Sequence, residues 1–152
     1  MYDIILKNGE IIDPSQGIHL VGSVAIQDGK IAVVGKDIGE TEAKKVFDMK
    51  GKIIVPGLID IHCHPVNGFW SLGVPEEEIG LNTGVTLLCD AGSSGSANFE
   101  TMRKLVIERA KTDIFCFLNI ASTGLVKMPE ILGKHDICLL YTSDAADEED
   151  SV

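Results

Sequence analysis

The first 55 residues alternate short apolar runs with polar punctuation at a spacing that suits strands rather than helices. "SVAIQDGKIAVVG", Ser23 to Gly35, is the clearest case. β-Branched residues stand on both sides of Asp28-Gly29, a pair that tolerates the positive φ of a tight hairpin. Asn8-Gly9 carries the same turn chemistry, and Lys50-Gly51 marks a third break. His19 falls between strand-like runs, as a solvated loop residue would. The expected form of residues 1–55 is a set of β hairpins making a small β-sandwich segment.

The pattern changes at Pro56-Gly57, where short apolar runs begin to alternate with helix-like segments. That alternation predicts βα units around a parallel sheet. Leu58 to His64 reads as one strand, Val85 to Asp90 as the next and Asp113 to Ile120 as a third. Between the last two, Phe99, Met102, Val106 and Ala110 share one helical face, with Asn98 as N-cap and Glu100 in the first turn. "PEEEIG" suits an acidic first helical turn with Pro75 at its first position.

The formal charge of −10 argues against nucleic acid or an anionic membrane surface as partner, so neither is expected. The charge is uneven, because the last fifteen residues hold five acids and no base. Cys63, Cys89, Cys116 and Cys138 form no CxxC pair, which fits a reduced, cytoplasmic protein. "MYDIILKNGE" lacks the pattern of a signal peptide, and no apolar run is long enough to span a bilayer.

The chemistry concentrates in "GLIDIHCHP", Gly57 to Pro65. In a regular strand Asp60, His62 and His64 face one way and Ile59, Ile61 and Cys63 the other. Two imidazoles at i and i+2 have α carbons roughly 6.5–7 Å apart and can tilt onto one ion. Zinc accepts imidazole readily, and a catalytic site keeps one position open for water. A bare HxH is common in proteins. This one ends an apolar strand at the end where a βα barrel carries its active face. Cys63 and Cys89 read as core thiols. "DAGSSGSAN" has no GK[ST] and is no P-loop, so it reads as the second βα loop. Asp90, Ser93 and Ser94 there, with Asn119 at the end of the third strand, are the candidate substrate contacts.

"IIVPGLIDIHCHP" resembles the signature of the amidohydrolase superfamily, in which a β-sandwich precedes PGxIDxHxH on the first strand of a (β/α)8 barrel. "GVTLLCDAGSSGSANFETMRK" and "FLNIASTGL" further resemble its dihydroorotase-like amidohydrolase/deacetylase group. The resemblance implies that His62 and His64 bind the more buried of two divalent ions, usually zinc. It implies hydrolysis of a C–N amide bond in an N-acylated small molecule or a cyclic ureide by a metal-activated hydroxide. The family completes its site with a bridging carbamylated lysine, two later histidines, and an aspartate that serves as ligand and general base. None of these can be assigned here: Lys127 and Lys134 lack strand context, and His135 comes one element too early. No catalytic residue is therefore expected within this chain, and the complete enzyme is expected to be a homo-oligomer. The alternative is a catalytically silent barrel kept as a binding or assembly scaffold.

A (β/α)8 barrel needs about 250 residues, whereas residues 56–137 accommodate about three βα units. The expected architecture is thus α/β, a β-sandwich segment followed by a truncated TIM barrel. "CLLYTSDAADE", Cys138 to Glu148, resembles the translation of a transposase sequencing adapter, so residues 138–152 are expected to be a non-native tail.

Overall fold

The computed structural model describes residues 1–36, 38–39, 43–68, 70–126 and 135. The tail expected from residue 138 on lies outside them. The chain divides into two compact units, with the boundary between Pro56 and Gly57.

The first unit is one five-stranded mixed sheet. Strand β1 (Tyr2–Asp13) pairs antiparallel with β2 (Ile18–Gln27), which pairs antiparallel with β3 (Lys30–Gly35). On its other side β1 pairs in parallel with β4 (Ala43–Asp48) and then with β5 (Ile53–Ile54). Asp28 and Gly29, at φ 51° and 72°, form the expected hairpin turn between β2 and β3. Asn8-Gly9 does not turn the chain. The β1–β2 register shifts between Leu6 and Gly9 with Asn8 at φ 61°, so the pair makes a bulge inside one long strand. The same tolerance of positive φ serves both geometries, which is why the dipeptide misleads. His19 also differs from expectation: it lies within β2, exposed, with Nε2 2.8 Å from Glu10 Oε1. Ile5, Ile11, Val24 and Ala25 form the buried set of this sheet. Beside them a hollow of about 470 Å³ is lined largely by aliphatic side chains, including Ile18, Ile31, Val33 and Ile54. Among the described residues, hydrogen bonding unites these strands in a single sheet rather than in the two layers of a sandwich.

The second unit is a parallel sheet of β6 (Leu58–Cys63), β7 (Val85–Asp90) and β8 (Asp113–Cys116), in that order. Helix α1 (Glu76–Ile79) and a 3₁₀ turn connect β6 to β7, and α2 (Phe99–Leu105) with a second 3₁₀ turn connects β7 to β8. Pro75 sits at the N-cap of α1 rather than inside it. The helix expected through Ala110 stops at Leu105, and Ile107–Arg109 tightens into 3₁₀ geometry. Val106 and Ala110 still pack on the sheet, so the apolar spacing survived the change of helix type. Asn98 does not cap α2 with its side chain. Its Oδ1 accepts from Gly95 N at 2.8 Å and its Nδ2 donates to Thr123 O at 3.1 Å. The third strand is shorter than expected, because beyond Cys116 the chain's next ladder contact is an isolated bridge from Asn119 to Gly95.

Leu88, Ile114 and Cys63 are the buried centre of the helix-covered face. The other face is bare among the described residues: Ile59, Ile61, Phe115 and Phe117 are 59%, 72%, 63% and 62% exposed. Such a face on a sheet with open edges favours association. The purified chain is therefore expected to self-associate at micromolar concentration. Replacing Phe115 and Phe117 by lysine should shift sedimentation velocity toward monomer at little cost in stability, and a monomeric parent chain would contradict this. Burial pushes the thiols of Cys63 and Cys116 up to about 12. At pH 8 both should alkylate at least about a hundredfold more slowly in the native protein than in urea, because the thiolate is the reactive form; mass spectrometry of iodoacetamide-treated samples reads this directly.

Candidate metal centre

Strand β6 does not alternate evenly through its last residues. Asp60 is paired with Leu88 and Cys63 with Asp90, so three steps on β6 match two on β7. The irregularity frees a backbone amide, and Asp60 Oδ1 accepts it, from His62 N at 3.0 Å. Cys63 consequently turns into the core with Leu88 and Ile114. His64 lies one residue past the strand, where its carbonyl accepts from Val66 N at 2.8 Å and Val74 N at 3.0 Å.

The two rings come together here. Their centroids are 5.8 Å apart and their planes stand at 88°. Trp70 packs on His64 in the same edge-on manner, at 5.0 Å and 89°. His62 is exposed, whereas the side chain of His64 keeps 20% of its surface. Trp70 went unnoticed in the sequence, although it is the chain's one tryptophan and lies only a short loop beyond His64.

Asp90 ends β7 with no exposed surface. Its Oδ2 accepts from Gly92 N at 3.1 Å and from Ser93 N at 2.7 Å, and Cys116 Sγ donates to it at 3.4 Å. This folds the loop back so that Ser93 Oγ lies 2.9 Å from His64 Nδ1. Asp90 Oδ1 lies 3.8 Å from the same nitrogen and is buried without a hydrogen-bond partner.

The structure thus brings Asp90 and Ser93 to the histidines. Ser94 is equally buried but meets Cys116, with Oγ 3.7 Å from Sγ. Asn119 braces the loop through Nδ2 to Gly92 O (3.0 Å) and its own N to Ser94 O (2.9 Å). Amides at Gly92, Ser93 and Gly95 are all taken by internal acceptors, which removes the loop as a cradle for phosphate. A Cβ on Gly95 would collide with the carbonyl oxygen of Ala121, so this crossing requires glycine.

The two paired imidazoles suit a divalent ion by donor chemistry, with the unpartnered Asp90 oxygen buried behind His64. Among the described residues no group of three or more His, Cys, Asp or Glu side chains forms a complete binding set. Lys127 and Lys134 lie outside the described residues. His135 is exposed and bridges Ala121 through its backbone, away from any donor role seen here. No described helix is long and apolar enough to cross a membrane.

No family model matches the chain. Individual proteins do. A deacetylase of Agrobacterium fabrum is 41% identical over 115 residues, covering 74% of this chain and 28% of the relative. Among solved structures, a dihydroorotase superposes with a TM-score of 0.79 at 32% identity, over 96% of this chain and 40% of that one. An adenine deaminase superposes with a TM-score of 0.72, also at 32% identity, over 86% of this chain and 34% of that one. The chain therefore spans less than half the length of each of these three proteins. With the histidine pair at the end of the first parallel strand, these likenesses in sequence and fold make the chain a member of the amidohydrolase superfamily.

Proposed function

We propose that the protein to which this chain belongs hydrolyses C–N amide bonds, in an N-acylated small molecule or a cyclic ureide, with the help of a divalent metal. The observation that carries this reading is the pairing of the His62 and His64 rings beyond β6, with the Nδ1 of His64 already engaged by Ser93. The relative named a deacetylase and the neighbour named a dihydroorotase support the same class of reaction.

In this reading His62 and His64 hold the ion, for which zinc is the best match to two imidazoles. When bound, the metal would supply Lewis-acid polarisation of the amide carbonyl and activation of water. The chain's own residues do the positioning. Asp60 ties down the His62 amide, and Trp70 confines the His64 ring. Ser93 occupies the nitrogen of His64 that stays off the metal. Asp90, Ser93, Ser94 and Asn119 shape the substrate side by holding the loop, since Asp90 and both serines have no exposed surface. The bridging lysine, the later histidines and the general-base aspartate would come from the rest of the protein. A cytoplasmic setting and a homo-oligomeric complete enzyme belong to the same proposal.

Two imidazoles make only half of a tetrahedral shell, so zinc should bind the 152-residue chain weakly. Calorimetry should show low-affinity binding that disappears in His62→Ala and in His64→Ala. One tight equivalent would mean that further donors act here.

The chain alone should not hydrolyse N-acetylated amino acids or dihydroorotate at any zinc concentration, because in this reading the general-base aspartate belongs to the rest of the protein. In the full-length enzyme loaded with zinc, turnover of one of these classes is expected. His62→Ala should then lower kcat/KM by more than about a thousandfold, from loss of several kcal/mol of carbonyl polarisation. A metal-loaded full-length enzyme silent on every amide and ureide would overturn the reading.

A further inference from the structure

The unpartnered oxygen of Asp90 calls for an explanation. A buried carboxylate oxygen without a donor is costly, and native structures hold few of them. Asp90 cannot turn away to relieve the cost. Its other oxygen is anchored by two backbone amides and a thiol, so Oδ1 is aimed by the fold of the loop. What it faces is His64 Nδ1, at 3.8 Å.

Nδ1 has a second neighbour, Ser93 Oγ, at 2.9 Å. A hydroxyl can donate or accept, so Ser93 alone would accommodate either neutral form of the ring. Asp90 breaks the tie. The Asp90 carboxyl already serves as acceptor to two amides and a thiol, and an acceptor at Oδ1 would set its lone pair against one on Nδ1, whereas an Nδ1–H is attracted. With the proton on Nδ1, the remaining lone pair of the neutral ring lies on Nε2. The edge-on contacts of Trp70 and His62 leave the ring little freedom to flip and escape this choice.

We propose that Ser93 and Asp90 act as a positioning pair that holds His64 in its Nδ1–H form and so reserves Nε2 for the metal. Carboxylate and hydroxyl partners on the far nitrogen of a metal-binding histidine are a general means of setting its tautomer and raising its basicity. Neither residue touches the metal in this arrangement. The inference rests on the metal-binding reading of His62 and His64, but its first observable does not need the metal.

The ¹⁵N spectra of the imidazoles in metal-free protein report the tautomer of His64, in solution or under magic-angle spinning if the chain associates. The wild-type chain should show a protonated Nδ1 and an unprotonated Nε2. Asp90→Asn makes the sharpest variant. Its amide oxygen must take the place of Oδ2 to accept the two backbone amides, which leaves the NH₂ facing His64. The donor should then reverse the tautomer, with the proton moving to Nε2. Zinc affinity should fall about tenfold or more in Asp90→Asn and in Ser93→Ala, and Ser93→Thr, which keeps the hydroxyl, should recover most of it.

A wild-type His64 protonated on Nε2, or one whose tautomer ignores Asp90→Asn, overturns the proposal. So does zinc affinity equal to wild type in both Ser93→Ala and Asp90→Asn while His62→Ala abolishes binding; the metal reading would survive that result. Reversal of the tautomer in a chain whose zinc binding ignores His62→Ala would uphold the positioning pair and sink the metal reading instead. If Ser93→Ala fails to fold, as judged by near-ultraviolet circular dichroism, the Asp90→Asn spectra decide alone.

Discussion

The carboxylate of Asp90 is the constraint on which the second unit turns. It closes the loop after β7 by accepting from two consecutive residues' amides, and it reaches across the sheet to the thiol of Cys116 at the end of β8. Through that loop it sets Ser93 against His64, and through Cys116 it ties the second strand to the third. The two amide contacts are buried, so neither can be exchanged for a solvent bond without leaving a buried group unsatisfied. One side chain therefore links the end of every strand in this sheet to the candidate site.

The loop it closes has little room for alternatives. Ser94 O accepts from Asn119 N, Ser93 O from Leu125 N, and Gly95 passes so near Ala121 that no side chain fits. The segment beyond β8 is thus laid over the segment beyond β7, and each is held by bonds to the other. Such a platform has the rigidity that a metal-binding histidine requires, since a ligand displaced by an ångström loses much of its value.

The sheet itself has two unlike faces. On one, Leu88, Ile114 and Cys63 meet the apolar side of the helical connections and are sealed. On the other, aliphatic and aromatic side chains of β6 and β8 stay in water. Side chains alternate across the sheet, both faces are apolar, and among the described residues the crossovers cover one of them. On the sealed side, burial pushes the Cys63 thiol up and so disfavours its thiolate.

Much of this was legible in the residues alone. β-Branched runs around Asp28-Gly29 specify a hairpin, and the change of apolar period at Pro56-Gly57 marks the change from an all-strand unit to βα structure, since both depend on neighbours in sequence. His62 and His64 stand out by spacing. Tertiary contacts decided the rest. Asn8-Gly9 became a bulge because β1 finds partners on both sides before and after it, so the strand continues instead of turning. The bulge in β6, which overrides strict alternation and sends Cys63 inward, exists because Asp60 can take the amide it frees. Trp70 against His64, and Asp90 against the loop it closes, join residues that no local pattern relates. Their contacts are made by chain crossings, and only the folded packing determines which side chains those crossings bring together.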